Sequence, residues 1–202
     1  MKQKRIQAIQ GLVILLLYAG GLSRAYAGEP LDIVKTAADK AVQILSDNHL
    51  RSNDKKQERI ERLREIFNPI FDYDEMAKRA LGAHWRRRTP AEQNEFIKLF
   101  RDFLEGVYSD KVNLYEGQKV IFGRETIEKD FAEVESKVVN TKGEEISAIY
   151  RLRRADGKWK VYDARVENVS TVNNYRSQFD RIISKYSYNE LIRLLLLRGK
   201  VA

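Results

Sequence analysis

Residues 157–183, GKWKVYDARVENVSTVNNYRSQFDRII, constrain the fold more than any other stretch, because a strand pattern runs directly into a helix pattern. After the turn signal Ala155-Asp156-Gly157, the residues Trp159, Val161, Tyr162 and Val166 give the segment aromatic and β-branched weight. Ser170 stands where a helix N-cap belongs, and Val172, Tyr175, Phe179, Ile182 and Ile183 recur at helical spacing. A last central strand feeding a helix that folds back over its own sheet closes the core of an α+β domain.

The residues ahead of this unit supply the rest of the sheet. From about Lys119 the apolar period becomes two, predicting strands over 119–125, 131–140 and 146–153. In the second, Ala132, Val134, Ser136 and Val138 share a face. In the third, Ile146, Ala148, Tyr150 and Leu152 alternate with Arg151 and Arg153. Four antiparallel strands with one charged face predict a sheet covered by helices on its other side only.

Helical patterns occupy the first half. Apolar residues at 31, 34, 38, 42 and 45 predict one helix, and a charged helix over 54–67 follows, stopped by Asn68-Pro69. Asp72 and Glu75 have the spacing of a capping box for a short helix that ends near Gly82. Thr89-Pro90-Ala91-Glu92 starts the helix with the widest apolar face, Phe96, Leu99, Phe100, Phe103, Leu104, Val107 and Tyr108. Ser187 and Glu190 cap a last, leucine-rich helix that Gly199 ends.

The N-terminus carries an address rather than fold. Lys2, Lys4 and Arg5 precede the apolar run from Gly11 to Leu17, and Ala25-Tyr26-Ala27 offers small residues at a signal-peptidase site. Residues 1–27 are therefore expected to be a cleaved secretory leader and residues 28–202 a single domain that is exported and soluble. The apolar run is short of the ~20 residues that a membrane span needs. The leader holds four of the basic residues and no acid, so 33 basic face 29 acidic residues in the remainder, a balance of +4. That excess does not argue for nucleic acid but permits contact with anionic headgroups. With zero cysteines, disulfides, thiol catalysis and Cys-based zinc sites are excluded together.

A search for reactive groups yields little. His49 and His84 have no second histidine at metal-ligand spacing, and neither sits in a nucleophile motif. No G-x-S-x-G, Walker A or G-x-G-x-x-G sequence occurs. Asp72, Asp74 and Glu75 are explained by capping a helix start. Asp163 lies within an apolar strand and requires solvent or a partner such as Arg79, Arg151 or Arg176. Trp85, Arg86, Arg87 and Arg88 read either as a contact for a phosphate headgroup or acidic partner, or as a solvated basic turn. No catalytic residue, cofactor or metal is expected. The apolar faces converge on one interior, which by periodicity alone is either a filled core or an apolar cavity.

Two blocks carry a resemblance. FDYDEMAKRALGAHWRRRTPAEQNEFIKLFRDFLEGVYSDKV (71–112) and YRLRRADGKWKVYDARVENVSTVNNYRSQF (150–179), together with the leader, resemble the MlaC family of periplasmic phospholipid-binding proteins, also called toluene-tolerance auxiliary proteins. The runs W-K-V-Y-D, V-E-N-V-S and N-Y-R-S-Q-F are the most specific parts, and Asn168 departs from a position where relatives often have glycine. The resemblance implies a strongly curved four-stranded antiparallel sheet packed with helices around a deep apolar pocket. It further implies a monomeric periplasmic carrier of phospholipid, working between an outer-membrane lipoprotein–porin complex and an inner-membrane ABC transporter bearing an MCE-domain protein. A sister branch is associated with hopanoid biosynthesis and has a different ligand. On that architecture, Phe96, Phe100, Phe103, Leu104 and Tyr108 line the pocket from one helix and Val172, Tyr175 and Phe179 from another. Val134, Val138, Ala148, Tyr150, Leu152, Tyr162 and Val166 line it from the sheet. An enzyme built on a similar cavity, or a non-catalytic interaction module with a filled core, are the readings that compete with the carrier.

Overall fold

A computed structural model describes residues 30–109 and 112–199, so the expected leader lies outside the described residues. The order is α1 (Pro30–Ser46), α2 (Lys56–Phe67), α3 (Tyr73–Leu81), a 3-10 segment (Gly82–Arg87) and α4 (Pro90–Ser109). Then follow β1 (Lys119–Glu128), β2 (Phe131–Val139), β3 (Glu145–Ala155), β4 (Lys158–Val166), β5 (Val169–Ser170), α5 (Thr171–Lys185) and α6 (Tyr188–Gly199). The strands form one antiparallel sheet in the order β1-β2-β3-β4-β5.

The helix starts follow the capping signals. Asp72 accepts from the Glu75 amide at 3.1 Å, Ser170 from that of Asn173 at 3.0 Å and Ser187 from that of Glu190 at 3.1 Å. At α4 the box closes both ways, with Glu92 N–H on Thr89 Oγ1 (3.3 Å) and Thr89 N–H on Glu92 Oε2 (2.7 Å). Gly82 ends α3 at φ +58°, a backbone conformation that favours glycine, and a Cβ there would also press on Arg176 Nε at 3.1 Å.

The sheet has five strands, not four. Glu167 and Asn168 both adopt left-handed φ, +48° and +64°, forming a two-residue turn that sends Val169 and Ser170 back along Val166 and Arg165. Asn168 suits this turn because asparagine enters the left-handed region more readily than most side chains. Glu167 is held there by Ser147, whose amide and hydroxyl donate to its carboxylate at 2.7 and 2.9 Å.

Below β5, the edge of β4 is covered by residues 70–72. Asp72 N–H donates to Val161 O (2.8 Å), and Val161 N–H to Ile70 O (2.7 Å). The Asp72 carboxylate, 6% exposed, also accepts from Arg153 Nε of β3 at 2.6 Å. Asp72 thus starts α3 and ties it to the sheet. Asp72→Ala is expected to lose both the cap and the ion pair, about 2 kcal/mol together, whereas Asp72→Asn keeps the cap and loses about half as much. Urea midpoints of the two variants check this ranking.

The leucine-rich α6 packs on the body through Leu191 and Leu195, which are buried, while Leu196 and Leu197 are exposed. Tyr188 anchors it: its hydroxyl donates to Glu92 O at 3.2 Å, and the Arg88 guanidinium lies 4.5 Å over its ring. Burial, followed by the carboxylates of Glu92 and Glu95, pushes the Tyr188 phenol up to about 12. A phenol that resists ionisation in the folded state stabilises it fully below the unfolded value of about 10, and this contribution is lost as pH rises through the folded one. Thermal stability is therefore expected to decline between about pH 10 and about pH 12, less steeply in Tyr188→Phe. Burial raises the Tyr73 and Tyr150 phenols as well, so this variant removes only part of the decline.

Candidate functional site: an aromatic-walled apolar interior

The strand registers decide which side chains meet. Val120 pairs with Val138, Val134 with Tyr150, Ala132 with Leu152, and Ala148 with Val166, so these residues share the face turned toward the helices. Ala164 and Val161 join them opposite Tyr150 and Leu152. From the helical side, Val34, Ala37, Ala38 and Ala41 of α1 and Met76, Ala77, Ala80 and Leu81 of α3 complete the same buried cluster. Small alanines at 37, 38 and 41 allow the α1 backbone to lie close to its neighbours.

The wall opposite is a layer of rings. Phe96, Phe100 and Phe103 of α4 stack in sequence, with centroids 5.8 and 6.3 Å apart. Tyr175 and Phe179 of α5 meet them edge-on: Phe100 lies 5.5 Å from each, and Phe103 lies 5.3 Å from Tyr175. Edge-to-face pairs of this kind add about 0.5–1.5 kcal/mol beyond the area they bury. The i, i+4, i+7 spacing of Phe96, Phe100 and Phe103 places all three on one stripe of α4.

Among the described residues, the polar groups on the inner face of the sheet are few and uncharged. Ser136 Oγ donates to Ala148 O at 3.2 Å. Burial pushes the Tyr150 phenol well above its ordinary range, against the opposing pull of a hydrogen bond with Ser136, so it stays neutral. The buried carboxylates Asp72 and Asp163 point elsewhere, to Arg153 and Arg151 on the charged face of the sheet. Asp163 also accepts from Ser170 Oγ at 2.7 Å and the Val172 amide at 3.1 Å, tying β4 to the first turn of α5.

The predicted wall residues Phe96, Phe100, Phe103, Leu104, Val134, Val138, Ala148, Tyr150, Leu152, Val166, Val172 and Phe179 meet in this one cluster, and the half-buried Tyr175 packs against it. The side chain of Tyr108 lies outside the described residues. Tyr162, 3% exposed, belongs to the same buried cluster, yet its ring also borders the charged face of the sheet. A register shift opposite Arg151 and Leu152 makes it the extra residue of a β-bulge. Its ring lies 6.1 Å from Phe131 and is covered by Arg79 and Arg151 at 4.3 and 5.3 Å. Val161 beside it packs into the cluster as well. The alanine stripe of α1 and the Met76–Leu81 face of α3 also belong to the interior, although only their helical spacing was visible in sequence.

The expected basic contact divides. Trp85 packs against the core, and Arg88 pairs with Glu92 at 3.2 Å, while Arg86 and Arg87 are exposed. On the charged face of the sheet, a groove of about 590 Å³ is lined by Arg79, Arg124 and Arg151, by Glu128, Glu133 and Glu135, and by the rings of Phe131 and Tyr162. Covering those ions with hydrocarbon would remove them from water, so this groove does not suit an acyl chain. Among the described residues no group of His, Cys, Asp or Glu could hold a metal ion, and no helix is long and apolar enough to cross a membrane.

Fold and site together define an α+β protein organised around one apolar interior with an aromatic wall. The family model described as MlaC protein matches residues 35–196, and the chain belongs to that family. It is 21% identical over 168 residues to the intermembrane phospholipid transport system binding protein MlaC of Haemophilus influenzae, covering 81% of this chain and 78% of that protein. It is 24% identical over 172 residues to the toluene tolerance protein ttg2D of Pseudomonas putida, covering 84% and 80%. Among solved structures, a phospholipid-binding protein from Ralstonia solanacearum, in complex with a phospholipid, superposes with a TM-score of 0.75 at 26% identity. The superposition covers 86% of this chain and 98% of that one.

Proposed function

We propose that the protein is a periplasmic carrier that holds the acyl chains of a phospholipid between the ring layer of α4 and α5 and the inner face of the sheet. The observation that carries this reading is the match over nearly the whole of a relative that was solved with a phospholipid bound. An interior whose wall is Phe96, Phe100, Phe103, Tyr175 and Phe179, facing a sheet whose inward polar groups among the described residues are the hydroxyls of Ser136 and Tyr150, supports it. One buried methylene is worth about 0.8 kcal/mol, so an acyl chain needs apolar walls and no reactive group. Donor and acceptor would be an outer-membrane lipoprotein–porin complex and an inner-membrane MCE-type ABC transporter. The carrier works as a monomer, without a cofactor and without catalysis.

Phe103→Asp tests the wall. Phe103 lies at the end of the stacked row and is 6% exposed, so a carboxylate there would meet hydrocarbon. The variant is expected to fold and to lose uptake of fluorescent phospholipid from vesicles. Undiminished uptake by a folded Phe103→Asp protein would show that this face does not touch lipid.

A further inference from the structure

One end of the molecule carries positive charge that no ion pair consumes. There the 3-10 segment, the start of α4 and the α5–α6 turn meet. Two contacts fix the arrangement: His84 Nε2 lies 2.8 Å from Asp180 Oδ1 of α5, and Arg88 stacks over Tyr188 of α6. Arg86 and Arg87 are strung between these anchors and are exposed. Arg181 and Lys185, one helical turn apart on α5, are exposed too. None of the four has an ion-pair partner among the described residues. Of the nearby acids, Glu92 is paired with Arg88 and Glu190 with Arg193, which leaves Asp180, hydrogen-bonded to His84, and Glu95 against the four cations. At the same corner Tyr186 is 64% exposed, with the Lys185 ammonium 5.1 Å from its ring.

Four free cations would suit any acidic surface, but the bare tyrosine ring narrows the choice. Tyrosine is enriched where headgroups meet water, because its ring is apolar and its hydroxyl is not. Basic residues beside such a ring are drawn to anionic lipid. We propose that this end docks on the surface of an anionic phospholipid bilayer, setting the carrier against a membrane that houses its lipid donor or acceptor. The proposal rests on the carrier reading above.

The test is flotation of the protein, purified from the periplasm without detergent, with vesicles of phosphatidylcholine alone or mixed with phosphatidylglycerol. Binding is expected only where phosphatidylglycerol is present. It should weaken as salt shortens the Debye length from about 10 Å at 0.1 M to about 3 Å at 1 M. At about fivefold per basic residue, R86Q/R87Q should bind about 30-fold less. Should R86Q/R87Q misfold, R181Q/K185Q gives the same reading from α5. Equal binding to the two vesicle types, or wild-type binding by folded variants of both pairs, overturns the proposal. So does loss, in the variants, of binding to an acidic soluble protein when the wild type does not float. Native mass measurement on the same samples keeps the two readings apart. A protein without lipid that still floats on anionic vesicles defeats the carrier reading and leaves the docking surface standing.

Discussion

Phe100→Ala is expected to lower folding stability by about 3–5 kcal/mol, among the largest effects that one substitution in this chain can have. Phe100 is 0% exposed and sits at the centre of the ring layer, with Phe96, Phe103, Tyr175 and Phe179 all within 6.3 Å of it, centroid to centroid. Truncation removes its own burial and four ring contacts, and it leaves a void that the stiff neighbours cannot fill. Denaturant unfolding at an unchanged m-value measures the loss. Phe100→Leu, which keeps most of the volume, should lose substantially less. A cost below about 1 kcal/mol for Phe100→Ala would mean that the ring layer is not tightly packed.

Asp163→Ala is expected to cost about 3–5 kcal/mol by a different route. Asp163 is 2% exposed, and its carboxylate is shared by Ser170 Oγ, the Val172 amide and, at 3.9 Å, the Arg151 guanidinium. Its removal strands a buried N–H at the start of α5 and leaves Arg151 with Glu133 alone, at 3.1 Å. Asp163→Asn retains an acceptor for Val172 and should cost about 1–2 kcal/mol. Hydrogen exchange locates the damage: the amides of Val172 and Asn173 should lose protection in Asp163→Ala before those of β2 do. Uniform loss across the sheet would instead give Asp163 a general packing role.

Much of this architecture was legible because local signals and burial agree. Thr89, Asp72, Ser170 and Ser187 are capping residues by type, and each makes its bond. The period-two alternation of β2 and β3 predicts their buried faces because no bulge interrupts the pairing between them. Legibility fails where the chain departs from a regular period. The surroundings of Tyr162 escape the alternation because one extra residue in β4 shifts it, and only the pairing with β3 shows that its ring borders the charged face as well as the core. The fifth strand escapes notice because two residues cannot display a period, and neither member of its Glu167-Asn168 turn is glycine. Of the outcomes the sequence leaves open for Asp163, solvent or a partner among Arg79, Arg151 and Arg176, the structure has burial beside Arg151 at 3.9 Å. The link of Asp163 to the Val172 amide depends on how α5 approaches β4, which spacing does not encode.

The ring layer and the sheet face opposite it are the parts of the molecule on which lipid carriage depends. Native mass spectrometry of the protein purified from the periplasm without detergent, followed by lipid extraction, tests that account most directly. The expected result is a discrete mass increment that extraction identifies as phospholipid and that is absent in Phe103→Asp. A protein that flies at its bare mass and takes up nothing from vesicles would contradict it, leaving the interior as a filled core.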